Sequence, residues 1–157
     1  MTPMLRRCRL AAVVCAATML VGVSGVVMTS PASAETAGTC SGSITKRKPL
    51  TVAGTVIAEI IVYYKSGLGG NNTACMYHRG PTYDVTTDSM VQLGECYAND
   101  CTYAFDGGNF MRDSGRYAKF AGPVQRTSTD GNCVVAEARI TWRGQAHIWS
   151  TGRVGCP

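Results

Sequence analysis

The stretch Gly115-Arg116-Tyr117-Ala118-Lys119-Phe120-Ala121-Gly122-Pro123-Val124, continued by Asp130-Gly131-Asn132-Cys133-Val134-Val135, decides the fold class. Tyr117, Lys119 and Ala121 alternate with Ala118, Phe120 and Gly122, which is the period-two pattern of a strand. Pro123 has no backbone N–H to give to a ladder, so Gly122-Pro123 is expected to end that strand. Asp130-Gly131 then turns the chain into an apolar run that Cys133 opens.

Working outward, the same alternation marks strands over residues 51–64, 73–78, 83–93, 102–105, 115–121, 133–142 and 146–150, and no convincing helix. The strongest is 51–64. Val56, Ala58, Ile60, Val62 and Tyr64 share one face, with Ile57, Glu59, Ile61 and Tyr63 on the other. Both faces are largely apolar, which predicts a central strand. The run from Ser66 to Asn72 reads as a glycine-rich hairpin loop. Asn71-Asn72-Thr73 fits a glycosylation sequon and is read as a turn, on the premise of bacterial export. Turn signals every eight to twelve residues predict an all-β fold, a small disulfide-stapled β-sandwich or barrel.

Ahead of it, residues 1–34 have the layout of a helical signal peptide. Arg6, Arg7 and Arg9 precede an apolar run from Leu10 to Val27, and Ala32-Ser33-Ala34 follows Pro31 as a cleavage site. The predicted mature chain, residues 35–157, is a single secreted all-β domain of 123 residues whose segment 35–49 reads as a loose leader. Cleavage removes three of the 15 basic residues and none of the 10 acidic ones, so the formal charge falls from +5 to +2. Such a balance gives no case for nucleic acid. The one basic cluster, Lys46-Arg47-Lys48, reads as a solvated flexible segment, with contact to an anionic wall polymer as its alternative.

Cys8 and Cys15 leave with the signal, and Cys40, Cys75, Cys96, Cys101, Cys133 and Cys156 remain. An even set in a short exported chain is a disulfide framework with 15 formal connectivities. Zinc is disfavoured, since no C-x-x-C pair exists and His78 and His147 are far apart. Cys96 and Cys101 flank the turn-forming Tyr97-Ala98-Asn99-Asp100, which predicts a local bridge. Cys40 and Cys156 stand at the two ends of the mature chain, where a staple would hold the termini. That leaves Cys75 with Cys133.

The residues offer little for catalysis. His78 and His147 with a lysine are the parts of an acid–base ribonuclease. A Ser114-His78-Asp113 triad can be written, but no nucleophile-elbow context surrounds the serine. Asp106-Gly107-Gly108-Asn109 and Asp130-Gly131-Asn132 lack the bidentate glutamate of a calcium loop and read as turns. No catalytic residue, cofactor or metal is therefore expected. On the final strand pair, His147, Arg143 and Trp149 are expected on a polar face opposite Trp142, Ala146 and Ile148. Together with Tyr97 and Tyr103, and with Tyr83 as a further aromatic, Arg143, His147 and Trp149 are the candidate surface contacts.

The layout resembles the spore-associated protein A family of exported actinobacterial proteins. The matching elements are Ala53-Gly54-Thr55-Val56, Asn72-Thr73-Ala74-Cys75, Asp113-Ser114-Gly115-Arg116-Tyr117, Phe120-Ala121-Gly122-Pro123-Val124, Gly131-Asn132-Cys133-Val134 and Gly155-Cys156. They span most of residues 40–157, and the Tyr117-to-Val124 run is the specific one. The family has four cysteines, so Cys96 and Cys101 are an addition, and the two long-range pairs match its layout. Val134-Val135-Ala136-Glu137 replaces a Trp-Gly-type segment. The resemblance implies a small secreted β protein of the cell or spore surface and supplies no catalytic residues.

The expected function is thus a secreted, surface- or spore-associated protein without catalytic activity. The alternative is an extracellular binding module or inhibitor presenting aromatic loops to a cell-wall polymer or a secreted protease, and a third reading is a small secreted ribonuclease. The expected partner is a cell-wall or spore-surface polymer, with no nucleic acid and no membrane after signal cleavage.

Overall fold

The structure is a computed structural model and describes residues 40–67, 69–98 and 100–156. The predicted signal peptide, its cleavage site and residues 35–39 lie outside them. Eight strands follow in order: β1 (Ser43–Val52), β2 (Thr55–Lys65), β3 (Asn71–His78), β4 (Thr87–Glu95), β5 (Phe110–Tyr117), β6 (Phe120–Thr127), β7 (Val134–Trp142) and β8 (Gln145–Val154). A single 3-10 turn, Gly80–Thr82, interrupts the β3–β4 connection. The strands form two antiparallel sheets ordered β1-β2-β3-β6 and β5-β4-β7-β8. The all-β sandwich expected from the alternation is what the chain forms.

β2 is central in the first sheet, as its two apolar faces require. Ile57, Ala58, Ile60 and Val62 enter the main core with Met76, Val91, Leu93, Val124, Ala138 and Ile140. Each large aliphatic side chain buried there contributes roughly 1.5–3 kcal/mol. On the outer face of the same strand, Ile61 and Tyr63 form a second, smaller cluster with Cys75, against which Cys40 and Tyr77 pack.

Several expected boundaries move. Residues 51–64 are not one strand, because the positive-φ pair Ala53-Gly54 turns β1 into β2. Residues 43–49 of the expected loose leader are β1 itself. Pairing splits the basic triplet: Arg47 stands opposite Ile61 and reaches Glu59 at 3.4 Å, whereas Lys46 and Lys48 stand opposite Val62 and Ile60. Charge on an outermost strand discourages pairing with another chain. Residues 83–86 are turn rather than strand, and so are 102–105, where Ala104 donates to the Cys101 carbonyl. The sequon Asn71-Asn72-Thr73 is the first part of β3, the turn before it being closed by Gly70 N–H on the Gly67 carbonyl. The turns expected at Asp106–Asn109 and Asp130–Asn132 are present.

The opening stretch also divides. Tyr117 ends β5 and Phe120 begins β6, with Ala118-Lys119 as the turn between them. Gly122-Pro123 lies inside β6, as a cis peptide at a register shift opposite Cys75. β6 is an edge strand, so the proline leaves no ladder partner wanting. β5 and β6 are edge strands of different sheets packed on each other, and Asp113 joins them. Its Oδ2 accepts from Gly122 N–H at 2.6 Å and its Oδ1 from the Tyr117 hydroxyl at 2.6 Å. Gly122 has φ +96°, and a Cβ there would sit 2.9 Å from the Ala74 carbonyl oxygen. The run from Tyr117 to Val124 is therefore part of a corner brace.

Two of the three expected disulfides are corrected. The bridges are Cys40–Cys75, Cys96–Cys101 and Cys133–Cys156. Strand register decides this. Val134 pairs with Val154, so the β7–β8 hairpin brings the flanking Cys133 and Cys156 together. Cys75 stands opposite Ile61 on the outer face, where the chain enters β1. The local bridge is as expected.

Two outcomes follow. Asp113→Ala should cost about 1.5–3 kcal/mol, because it removes a charge-assisted hydrogen bond and orphans the Gly122 N–H; urea unfolding measures it, and a loss under about 0.5 kcal/mol would refute the brace. Loop entropy assigns about 3–4 kcal/mol to each bridge with sequence separation 35 or 23 and about 2 to the one with separation 5. Double Cys→Ala variants should rank in that order, and non-reducing peptide maps should join Cys40 to Cys75.

Candidate functional site

The acid–base groups singled out in the sequence are not assembled. His78 is fully buried at the end of β3. Its Nδ1 is 3.0 Å from the Thr82 carbonyl oxygen and its Nε2 is 2.9 Å from Ser89 Oγ on β4. The carbonyl fixes Nδ1 as the donor, so Nε2 accepts from the serine. This serine–histidine pair spans the two sheets and has no access for a substrate, Ser89 being buried as well. Burial lowers the pKa of His78, against the pull of the Thr82 and Val85 backbone. The Ser114-His78-Asp113 triad does not form, since Asp113 is held by Tyr117 and Gly122. Burial, with the Asp113 bond second, raises the Tyr117 hydroxyl to about 12. His147 lies on β8, while His78, the other half of the ribonuclease pairing, is buried and held by Thr82 and Ser89.

β8 carries the next correction. Ile140 pairs with His147 and Ala138 with Trp149, both core-facing positions of β7, so His147 and Trp149 turn inward. Ile148, expected on the buried side, is 62% exposed. Trp149 packs on the core margin and donates Nε1–H to the Lys48 carbonyl at 3.2 Å, closing the β1–β8 side of the sandwich. Arg143 is exposed in the hairpin turn and lies 4.3 Å over the Trp142 ring.

Tyr97 and Tyr103 are 88% and 71% exposed, in the loop after β4. That loop begins where β7 begins, whereas Arg143 lies at the far end of β7. Nine residues of strand separate them, on the order of 27 Å. Of the five candidate contacts, Tyr97 and Tyr103 therefore lie at one end, Arg143 and His147 toward the other, and Trp149, opposite Ala138, at mid-strand. Tyr83, 52% exposed, is in the β3–β4 connection with Lys119 Nζ 5.9 Å from its ring centre.

The Tyr97 group has a cleft beside it of about 380 Å³, lined by Glu95, Cys96, Tyr97, Asn109, Arg126 and Asn132 among others. Glu95 ends β4, Arg126 is near the end of β6, and Asn132 follows the Asp130-Gly131 turn. Arg126 Nη2 donates to Glu95 Oε2 at 3.1 Å, and Asn132 Nδ2 donates to Glu95 Oε1 at 2.6 Å. The Arg126 Nε is buried with no partner among the described residues. Tyr97 is held from behind: the Cys96–Cys101 bridge and the Tyr97–Asp100 β-bridge close its loop, and Cys96 N–H bonds the Cys133 carbonyl at 2.9 Å. Both carboxylate oxygens of Glu95 are thus engaged.

Sequence reading found Tyr97 and passed over Glu95, Arg126, Asn109 and Asn132. The two asparagines stood within segments read correctly as turns. Among the described residues, no group of three or more His, Cys, Asp or Glu is placed to hold a metal ion, and no helix is long and apolar enough to cross a membrane. Comparison with protein-family models, curated proteins and solved structures finds no match.

His78 makes a pH dependence. Its folded pKa is depressed below the ordinary 6.5, so below that pH the unfolded chain takes up a proton the folded one refuses. Stability from this group should be complete above about pH 7 and fall as pH drops through 6.5. Thermal unfolding at pH 7.5 and 5.5 measures it, and a His78→Gln variant should show a smaller drop.

Proposed function

We propose that this chain is an extracellular, non-catalytic component of a cell or spore surface, with the stapled sandwich as its durable scaffold. One observation carries the reading: the buried and half-buried carboxylates and His78 are taken up in structural bonds. His78 is sealed between Thr82 and Ser89, Asp113 braces the β5–β6 corner, and Glu95 is held by Arg126 and Asn132. Glu59 lies between Arg47 and Arg79, and Glu137 accepts from Gln92. General acid–base catalysis needs a group free to exchange a proton with a substrate atom. His147, half-buried on β8, and the exposed Asp84, Asp88 and Asp106 stand outside this set. Three disulfides belong to an oxidising environment. The likeness to spore-associated proteins in residues 113–124 supports a surface location.

A second reading, an extracellular binding module, is favoured by Tyr97 and Tyr103 standing exposed at the cleft end of the sandwich.

Fractionation of producing cells tests the first reading. The protein should be found with the wall or spore coat, and recovery only from the medium would overturn surface association. Nuclease, protease and esterase assays on the pure protein should give no turnover. A turnover lost in His147→Ala with the fold intact would overturn the non-catalytic assignment.

A further inference from the structure

We infer that the cleft over Glu95 and Arg126 is a binding site for a short neutral glycan, with Tyr97 as its stacking platform. The inference names the chemistry of the surface partner in the reading above. It depends on that reading only for where the glycan comes from.

Charge comes first. The lining carries one carboxylate and one guanidinium, joined at 3.1 Å, so the site is neutral as a whole. An anionic polymer would meet Glu95 and would have to displace it from Arg126. A sugar hydroxyl faces no such conflict.

The polar groups agree. Glu95 is fixed from two sides, so its neighbours are set before a ligand arrives. Around it the lining alternates donors and acceptors: the Arg126 guanidinium, the Asn132 carbonyl oxygen and the whole amide of Asn109. A hydroxyl donates and accepts at once, and a ring bearing several matches such a mixture.

Tyr97 supplies the third part. An aromatic ring held 88% in solvent is a flat apolar face with a polar tip, suited to the C–H face of a pyranose. Its loop is cross-linked, so little freedom is lost when a ligand docks. The volume, about 380 Å³, lies at the low end of small-ligand sites and suits a short saccharide.

The test is titration of the purified secreted protein, followed by NMR shifts, with neutral chito- and gluco-oligosaccharides and, separately, inorganic polyphosphate. Expected is saturable binding of a neutral oligosaccharide with little salt dependence. It should weaken about tenfold in Tyr97→Ala and clearly in Asn109→Ala, and be unchanged in Ile148→Ala, an exposed side chain on β8 outside the cleft. Tyr97 and Asn109 are both exposed, so these variants keep the core intact. Three outcomes would overturn the inference: no neutral binding, so that water alone meets the polar groups; binding confined to polyphosphate and lost with salt; or neutral binding indifferent to both cleft variants. Glycan binding by a protein found only in the medium would sink the surface reading and leave this one standing. Wall retention without glycan binding would do the reverse.

Discussion

The carboxylate of Asp113 holds the β5–β6 corner, one of three places where the chain passes between the sheets. β5 and β6 belong to different sheets, and no continuous ladder joins them. Burying apolar area drives the sheets together but does not fix how one lies on the other. A charged oxygen gripping the Gly122 N–H does fix it, because that bond has a direction and a length. The bulge opposite Cys75, the bare Gly122 and the Tyr117 hydroxyl serve the same corner. His78 to Ser89 and Trp149 to the Lys48 carbonyl add two more inter-sheet bonds, each from a different pair of strands. The sandwich is thus an apolar core aligned by a few polar bonds at its margins.

Those margins explain what could be read from the chain beforehand. β2 was plain, because Ile57 to Tyr63 is apolar on both faces and only a central strand buries both. β1 was hidden because an edge strand needs no apolar alternation, and Lys46-Arg47-Lys48 resembles a solvated coil until its pairing with β2 is known. Ile148 misled in the opposite sense, as an apolar residue placed outward by a register that the strong β7 pattern sets. The two long-range disulfides differ from expectation because strand ends, not chain ends, set the pairing. The β7–β8 hairpin across Arg143-Gly144 brings Cys133 and Cys156 together. The cleft was not legible. Glu95, Asn109, Arg126 and Asn132 come from separate segments, and no spacing rule relates them.

The two ends of the sandwich have different characters. At one end the β7–β8 hairpin, with Arg143 over Trp142, is short and self-contained. At the other, the long β4–β5 connection and the Asp130-Gly131 turn gather a cluster of Cys96, Ala104, Cys133 and Val135 beneath a polar surface. Two disulfides meet in that cluster. Loops borne on a rigid sheet end are where recognition residues are commonly placed, and this end combines rigidity with exposed aromatic and amide groups.

The pairing of the cysteines has a consequence for how the molecule is made. Each of the six bonds its immediate neighbour in the chain, Cys40 with Cys75, Cys96 with Cys101 and Cys133 with Cys156, and no loop interleaves with another. A chain emerging N-terminus first presents its thiols in that same order. At each stage at most one of these six thiols waits, and the next of the six to appear is its correct mate. Oxidation in order of arrival therefore yields the final connectivity without passing through wrong bridges, which would otherwise be undone only by slow thiol–disulfide exchange.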